Sequence, residues 1–130
     1  MADAQKKKVL IVDDDEFLLD MYVVKFKESG FEVDVAQNGE EALEKARTTN
    51  PDIILLDIVM PKVDGFDVLR TIKKDKLAPN AAVFVLSNLG QKEDTDRGIS
   101  LGAVDYIVKA HFTPSEVVAR VENTLKNRNK

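Results

Sequence analysis

The sequence predicts an α/β fold: a single doubly wound sheet of five parallel strands with helices on both faces, forming a three-layer sandwich. Short apolar segments alternate with longer amphipathic segments five times along the 130 residues, which predicts five strand–helix units. The short segments include "KVLIVD" and "DIILLD", and such nearly continuous apolar runs are typical of parallel strands buried on both faces. No linker, internal repeat or low-complexity tract divides the chain, and its length fits one domain with a substantial core.

Five segments have the composition of strands. Residues 8–13, 52–57 and 81–87 form apolar runs rich in branched side chains, and we expect the run at 52–57 to be fully buried. Residues 31–36 alternate apolar and polar side chains, which predicts a half-exposed strand. The fifth strand lies within residues 103–109. Because right-handed crossovers must connect parallel strands, few topologies remain open.

The segments between and after the strands predict five helices. They lie at 15–30, 38–50, 64–75, 92–102 and 113–127. The first repeats large apolar residues four apart and stops at Gly30. The last has the strongest start signal, because Thr113 fits the N-cap, Pro114 the first helical position and Glu116 the position three after the cap.

Composition excludes several classes of protein. Apolar residues make up 44% of the chain, which excludes a disordered protein, and no apolar run approaches the ~18 residues of a membrane span. The start, "MADAQKKKVL", lacks the apolar region of a signal peptide, and the absence of cysteine fits a cytoplasmic location. The net charge of −4 argues against direct nucleic-acid binding by the domain. We expect the domain to cover 7–127, with flexible ends at 1–6 and 128–130.

Polar and charged side chains stand at the ends of four predicted strands. Asp13 and Asp14 follow the first strand, and Asp57, Ser87 and Lys109 end the third, fourth and fifth. Ligands of an open parallel sheet bind beyond the carboxyl ends of its strands, so we expect these side chains to share one edge. The second strand ends in "AQN", which adds no ionisable group.

The residue types at this edge favour phosphoryl transfer. Three crowded carboxylates repel one another unless a cation joins them, and hard oxygen ligands suit Mg²⁺. Near such an ion, the Asp57 carboxylate can attack a phosphorus atom and form an aspartyl phosphate. Lys109 can stabilise the phosphoryl oxygens, and the Ser87 hydroxyl can donate a hydrogen bond to them. The alternative for the acidic run at 13–16 is a cluster that complements the dipole of the following helix.

Four segments carry these residues, and they come in a characteristic order. They are "LIVDDD" (10–15), "DIILLDIVMPKVDG" (52–65), "VFVLSN" (83–88) and "GAVDYIVK" (102–109). This set resembles the receiver domain of bacterial two-component response regulators over about residues 7–127. The resemblance implies a flavodoxin-like fold with strand order 2-1-3-4-5. It also implies a phosphoacceptor signalling domain of a two-component phosphorelay, and not an enzyme for an external substrate.

The resemblance assigns a metal site to this chain. In the family's pattern, Asp57 is the phosphoacceptor and also contributes to the site, and Asp14 is a direct ligand of Mg²⁺, or of Mn²⁺ in its place. Asp13 acts largely through water. The backbone carbonyl of Val59 is a further ligand.

The resemblance also assigns a switch. Ser87 corresponds to the switch hydroxyl, Lys109 to the lysine that pairs with the phosphate, and Tyr106 to the aromatic that swings inward. The implied phosphodonor is a phosphohistidine on a sensor histidine kinase or a histidine phosphotransfer protein. Phosphorylation is then expected to change a partner-binding surface near the fourth helix, fifth strand and fifth helix. The downstream target is not encoded here, and we expect a monomer or a phosphorylation-dependent homodimer, as a stand-alone receiver or as part of a longer regulator.

Two positions depart from the family's pattern. Ala110 follows Lys109, where the family usually has a proline after a cis bond. We therefore expect either a cis bond before a non-proline residue, which costs about 3 kcal/mol, or a rearranged trans loop. Asn88 follows Ser87, where a small residue is usual, and its larger side chain is expected to hinder phosphodonors.

Two apolar residues occupy positions that tune dephosphorylation in the family. They are Val59, two residues after Asp57, and Leu89, two residues after Ser87. Apolar side chains there tend to exclude the attacking water, so we predict a slowly decaying phosphate.

Three other functions use some of the same residues. A phosphatase that resembles haloacid dehalogenases would carry a second aspartate two residues after the nucleophile, where this chain has Val59. A flavin-binding, flavodoxin-like protein would need a Ser/Thr/Gly-rich phosphate loop in place of "DDDEF". A degenerate receiver would only bind partners, an alternative that Ala110 and Asn88 leave open.

Several residues also have simpler interpretations. Ser87 can be a strand-end hydroxyl bonded to the backbone, Tyr106 an ordinary core or surface aromatic, and His111, the only histidine, a loop residue. The first helix carries an excess of apolar residues that either pack in the core or form a patch for a partner. They are Phe17, Leu19, Val23 and Val24.

Overall fold

The protein is described here by a computed structural model that covers residues 6–128. Residues 1–5, 129 and 130, which belong to the ends predicted to be flexible, lie outside the described residues. Within 6–128 every predicted strand and helix is present, and the ends differ from the expected ones by one or two residues. Across the same residues, no helix combines the length and the apolar content that crossing a bilayer requires.

The elements follow one another in the predicted alternation. The strands are β1 (Lys8–Val12), β2 (Glu32–Ala36), β3 (Ile53–Leu56), β4 (Val59–Met60), β5 (Val63–Asp64), β6 (Ala82–Ser87) and β7 (Asp105–Val108). The helices are α1 (Glu16–Glu28), α2 (Gly39–Thr49), α3 (Gly65–Lys74), α4 (Lys92–Ser100) and α5 (Pro114–Arg128), and a 3₁₀ helix covers Lys109–His111. The β4–β5 hairpin and the 3₁₀ helix were not predicted, because two or three residues are too few to set up a hydrophobic period.

The main sheet has the order β2-β1-β3-β6-β7, and each pair of neighbours is parallel. Because β4 and β5 pair only with each other, β6 and β7 are the fourth and fifth strands of this sheet. The predicted order 2-1-3-4-5 and the predicted flavodoxin-like α/β fold are therefore confirmed.

Alternate residues of the central strands pack on opposite faces of the sheet. In β3, Ile53 and Leu55 join the core beneath α1 and α5, whereas Ile54 and Leu56 join the core beneath α2 and α3. All four side chains are fully buried. This two-sided burial explains why β3 is apolar throughout and confirms the predicted three layers.

Side-chain caps fix the starts of the helices that border the carboxyl ends of the strands. The Asp15 carboxylate accepts a hydrogen bond of 3.2 Å from the N–H of Leu18 at the start of α1. Thr113 and Glu116 form the predicted capping box of α5, with reciprocal bonds of 3.2 and 2.8 Å. These caps hold the loops after β1 and β7 against the edge of the sheet.

The apolar residues of α1 divide between the core and the surface. Leu19, Tyr22 and Phe26 are buried in the core, and Val23 packs partly against it. The outer face carries three exposed apolar side chains, here named the α1 patch. They are Phe17 (74% exposed), Met21 (37%) and Val24 (52%). The packing interpretation therefore holds for Leu19 and Val23, whereas a partner-binding role of the exposed residues stays a prediction.

Candidate functional site

A cavity of about 370 Å³ opens at the carboxyl ends of β1, β3, β6 and β7. Its walls come from the loops that follow these strands, together with the first turn of α1. The lining residues are Asp13, Asp14, Asp15, Leu18, Asp57, Val59, Asn88, Leu89 and Lys109. The structure thus places five of the predicted site residues around one space: Asp13, Asp14, Asp57, Val59 and Lys109.

Asp57 is a buried carboxylate with two hydrogen-bond partners. Its backbone N–H donates to the carbonyl of Val12 at 3.0 Å, which continues the pairing of β3 with β1 by one residue. On the side chain, Oδ1 accepts from the N–H of Val59 at 3.1 Å, and Oδ2 accepts from Nζ of Lys109 at 2.9 Å. The charge that ends this apolar strand is therefore paired, as burial of a carboxylate requires.

Lys109 joins two strand ends across the cavity. Its Nζ lies 2.6 Å from Oδ2 of Asp13 as well as 2.9 Å from Asp57. Burial alone would lower the pKa of Lys109, but the hydrogen bonds to the two carboxylates outweigh it, so the pKa lies above the usual 10.5. The lysine is therefore a cation at neutral pH.

Asp13 is a buried carboxylate that Lys109 compensates only in part. Its Oδ1 accepts from the N–H of Asp15 at 2.9 Å and its Oδ2 from Lys109. Burial nevertheless raises the pKa of Asp13 above 3.8, because these two bonds do not replace all of the lost water and the Asp57 charge adds repulsion. One ammonium group is shared between two carboxylates, so part of the negative charge remains unbalanced.

Three carboxylates can hold a small cation at this edge. Asp13, Asp14 and Asp57 each offer one oxygen, and the three oxygens lie within 4.8 Å of one another. Asp13 and Asp57 are buried, whereas Asp14 is exposed at the mouth of the cavity. A set of oxygen donors with excess negative charge beside an open space fits a hard divalent cation such as Mg²⁺.

The β4–β5 hairpin forms the wall next to Asp57. Pro61 and Lys62 occupy its turn, and Lys62 has φ = 68°, as expected at the third position of a type II turn. Gly65 closes the hairpin, since its N–H donates to the carbonyl of Ile58 at 2.9 Å. A Cβ on Gly65 would lie 2.4 Å from Cα of Ile58, so only glycine lets α3 begin directly against the backbone that follows Asp57.

Ser87 lies behind the cavity wall, and it is not among the residues that line the cavity. It is the last residue of β6 and fully buried, and its Oγ accepts a hydrogen bond of 3.3 Å from the N–H of Leu89. The next two residues, Asn88 and Leu89, are exposed and do line the cavity. The switch role remains a prediction for this hydroxyl.

The loop after Lys109 takes the second of the two expected forms. Peptide bonds within residues 6–128 are all trans, including the one between Lys109 and Ala110. The loop instead coils into the 3₁₀ helix, which keeps the Lys109 side chain 9% exposed and directed at both carboxylates. His111 and Ala110 are exposed and do not line the cavity. His111 was expected in a loop and instead ends the 3₁₀ helix.

Tyr106 points inward. It is 7% exposed, and its hydroxyl donates a hydrogen bond of 2.5 Å to the carbonyl of Leu89. Burial, and to a smaller extent the carboxylates of Asp94 and Asp57, raises the pKa of Tyr106 to about 12. The ring belongs to the core beneath α2 and α3, while the hydroxyl reaches the loop that borders the cavity.

Comparison with known proteins identifies the family. The sequence model of the protein family described as the response regulator receiver domain matches residues 9–122. The alkaline phosphatase synthesis transcriptional regulatory protein PhoP of Bacillus subtilis is 40% identical over 92% of this chain and 49% of its own length. The chain spans about half the length of the curated relatives it matches.

Solved structures with the same fold include two receiver domains. The Francisella response regulator 1452 receiver domain superposes with a TM-score of 0.84 at 37% identity, covering 96% of this chain and all of that one. A BeF₃-activated DrrB receiver domain gives 0.81 at 29% identity, covering 94% and 99%. With a family match over most of its length, this protein belongs to the response regulator receiver domains.

Proposed function

We propose that Asp57 accepts a phosphoryl group from a phosphohistidine in a reaction that depends on a divalent cation. The donor is a sensor histidine kinase or a histidine phosphotransfer protein of a two-component phosphorelay. The observation that carries this proposal is the shared hydrogen bonding of Lys109 to Asp13 and Asp57, beside Asp14, at the mouth of one cavity. This arrangement supports the proposal, because a nucleophile, a cation and a set of metal ligands must all lie within reach of the transferred phosphoryl group.

Mg²⁺ would be held by Asp13, Asp14 and Asp57 together with the Val59 carbonyl, and Mn²⁺ could replace it. When bound, the ion supplies positive charge that offsets the negative charge of a phosphoryl group entering among carboxylates. The donor set supports this assignment, since its three oxygens lie within 4.8 Å of one another.

The chain's own residues account for the transfer itself. A carboxylate oxygen of Asp57 attacks phosphorus and forms the new O–P bond as the N–P bond of phosphohistidine breaks, and the electron pair of that bond returns to the imidazole. Lys109 already donates to Asp57 and stabilises the phosphoryl oxygens as they arrive. The Val59 N–H, which donates to Oδ1 of Asp57, orients the carboxylate. Ser87 donates to the phosphoryl group once the loop after β6 moves toward it.

The donor is a macromolecule in this proposal. The α1 patch extends from the first turn of α1, where Leu18 lines the cavity, along the same helix. Exposed Phe17, Met21 and Val24 are the kind of contiguous apolar side chains that mark protein interfaces. Apolar contacts beside the cavity can hold a donor while its phosphohistidine reaches Asp57.

In this proposal, phosphorylation changes the partner-binding surface of the domain and does not convert an external substrate into a product. The domain catalyses its own phosphorylation and dephosphorylation and turns over no external substrate. Relatives are named transcriptional regulators and are about twice as long, whereas this chain has a net charge of −4. We therefore assign it protein partners in the cytoplasm, reached through the surface of α4, β7 and α5, and no direct contact with nucleic acid.

The rival functions lack support at the same residues. Val59 carries no carboxylate to act as the acid of a phosphatase, and its side chain is 55% exposed at the cavity. Asp13, Asp14 and Asp15 at the first loop would repel the phosphate of a flavin. Lys109 still reaches both carboxylates despite Ala110, which favours a functional receiver over one that only binds partners.

Phosphoramidate tests this proposal, because its N–P bond reproduces the bond broken in phosphohistidine. We expect the wild type to form a phosphorylated species on a phosphate-affinity gel with MgCl₂ and none with EDTA. Asp14→Asn should reduce the yield, and Asp15→Asn, a cap-preserving change one residue away, should not. Equal phosphorylation with and without the cation would contradict the proposal.

A further inference from the structure

Gly98 stands in the middle of α4, where glycine is a poor helix former compared with alanine. It is the buried residue of this largely polar helix. A Cβ at this position would lie 2.9 Å from Cδ2 and 3.2 Å from Cε2 of the Tyr106 ring. The absence of a side chain at Gly98 therefore leaves room for the ring of Tyr106.

The Tyr106 hydroxyl fixes a loop of the cavity. It donates to the carbonyl of Leu89 at 2.5 Å, and the N–H of Leu89 in turn donates to Oγ of Ser87 at 3.3 Å. Asn88 and Leu89 form one wall of the cavity that holds Asp57. The position of the ring and the position of this wall are therefore mechanically linked.

We propose that Gly98 is a positioning residue: the space it leaves lets Tyr106 lie inward and hold the loop between β6 and α4 against the phosphorylation cavity. The groups that hold the ring come from the chain itself: Gly98 faces the edge of the ring, and the Leu89 carbonyl accepts a hydrogen bond from its hydroxyl. Tyr106 is thus set inward by packing in the unmodified domain, and phosphorylation has little further inward movement of the ring to drive.

Tyrosine fluorescence tests the position of the ring. The chain has two tyrosines and no tryptophan, so Tyr106 is the sole emitter in a Tyr22→Phe background. We expect Gly98→Ala to raise the acrylamide quenching constant of Tyr106 severalfold, because the ring is displaced into solvent. Ser100→Ala, which also introduces an alanine into α4 but at an exposed position, should leave quenching unchanged. Equal quenching in Gly98→Ala and the background would overturn the proposal.

A melting-temperature cycle covers the case in which Gly98→Ala folds poorly. If the ring is the obstacle, Gly98→Ala lowers Tm when Tyr106 is present and raises it in a Tyr106→Leu background, where only the gain in helix propensity remains. A rise in Tm in both backgrounds would show that the ring and a Cβ coexist, and would overturn the proposal.

Hydrogen exchange tests the link to the cavity. Tyr106→Phe keeps the ring and removes the bond to Leu89, so we expect faster exchange of the Leu89 and Gly90 amides and unchanged exchange in β3. Unchanged exchange at both amides would show that the hydroxyl does not hold the loop.

A further quenching measurement adds beryllium trifluoride and Mg²⁺, and its interpretation rests on the proposed function. Beryllium trifluoride should change Tyr106 quenching little in the Tyr22→Phe background and should reduce it in Gly98→Ala by drawing the ring inward. Reduced quenching in both proteins would contradict an inward resting position. A lack of response in Gly98→Ala, while the unmodified proteins still differ in quenching, would contradict the proposed movement of the loop after β6 on phosphorylation, and the role of Gly98 would stand.

Discussion

The Nζ atom of Lys109 donates a hydrogen bond of 2.9 Å to Oδ2 of Asp57, and the two side chains are only 9% and 7% exposed. The pair joins the ends of two strands that are 52 residues apart in sequence. The same Nζ contacts Asp13 at 2.6 Å. This one cation explains how an apolar strand can end in a buried carboxylate, and it is the basis of the first two predictions.

Lys109→Met should lower the free energy of unfolding by about 3 kcal/mol at pH 7, because it leaves two buried carboxylates without their cation. The contribution of Lys109 is present below pH 10.5, its ordinary pKa, and is lost as the pH rises through its higher pKa in the folded state. Urea unfolding at pH 7 measures the effect. Lys92→Met, which removes an exposed i,i+4 pair with Asp96, is the matched control and should have no measurable effect. Equal stability of wild type and Lys109→Met would refute the pairing.

Asp13→Asn should raise the free energy of unfolding at pH 7 by about 1 kcal/mol in the absence of divalent cations, since it removes a buried charge. Burial raises the pKa of Asp13 in the folded state above 3.8. Between pH 3.8 and this higher pKa, the folded wild type binds more protons than the unfolded chain. Its stability relative to Asp13→Asn therefore falls as the pH rises. The difference in free energy of unfolding between Asp13→Asn and the wild type should be near zero at pH 3 and should grow above pH 3.8. A constant difference from pH 3 to pH 8 would rule out this origin.

Mg²⁺ should stabilise the wild type by about 1.4 kcal/mol at a concentration ten times its dissociation constant. Asp14 is exposed, so Asp14→Asn should leave the metal-free stability unchanged. Because it replaces a proposed carboxylate ligand by a neutral amide, it should remove most of the Mg²⁺ increment. Thermal melts with MgCl₂, and with NaCl of equal ionic strength, measure it. Asp15→Asn, which keeps the cap of α1, should retain the response, and an equal loss in both variants would point to diffuse charge instead of a site.

The aspartyl phosphate should persist for minutes or longer, because Val59 and Leu89 line the cavity and cannot orient a water molecule. Val59→Asn adds a hydrogen-bonding group beside Asp57 and should speed hydrolysis at least about tenfold. Phosphate release after removal of the donor measures the decay. A wild-type lifetime of seconds would show that water reaches the phosphorus despite these side chains.

The alternation of strands and helices and the edge that holds the site could be predicted from sequence, because both depend on patterns repeated over many residues. Apolar runs predicted the strands β1, β3 and β6. The parallel arrangement of the strands then predicted that Asp13, Asp57 and Lys109 lie at the same edge of the sheet. The order of the strands in the sheet came from the family resemblance.

Orientation of individual side chains could not be predicted, because it depends on contacts between distant elements. Ser87 lies at the expected strand end but behind the wall, and Tyr106 is inward because α4 carries Gly98. Phe17 and Leu19 are close in sequence and equally apolar, yet one is 74% exposed and the other 2%, since α1 turns only one face to the sheet.

Intact mass after incubation with acetyl phosphate and Mg²⁺ tests the central claim most directly. Wild type and Asp64→Asn, a cap-preserving change near the site, should each gain the mass of one phosphoryl group, and Asp57→Asn should gain none. The adduct should disappear on treatment with hydroxylamine, as an acyl phosphate does. An adduct that persists in Asp57→Asn, or the absence of any adduct in the wild type, would contradict the assignment of Asp57 as the phosphoacceptor.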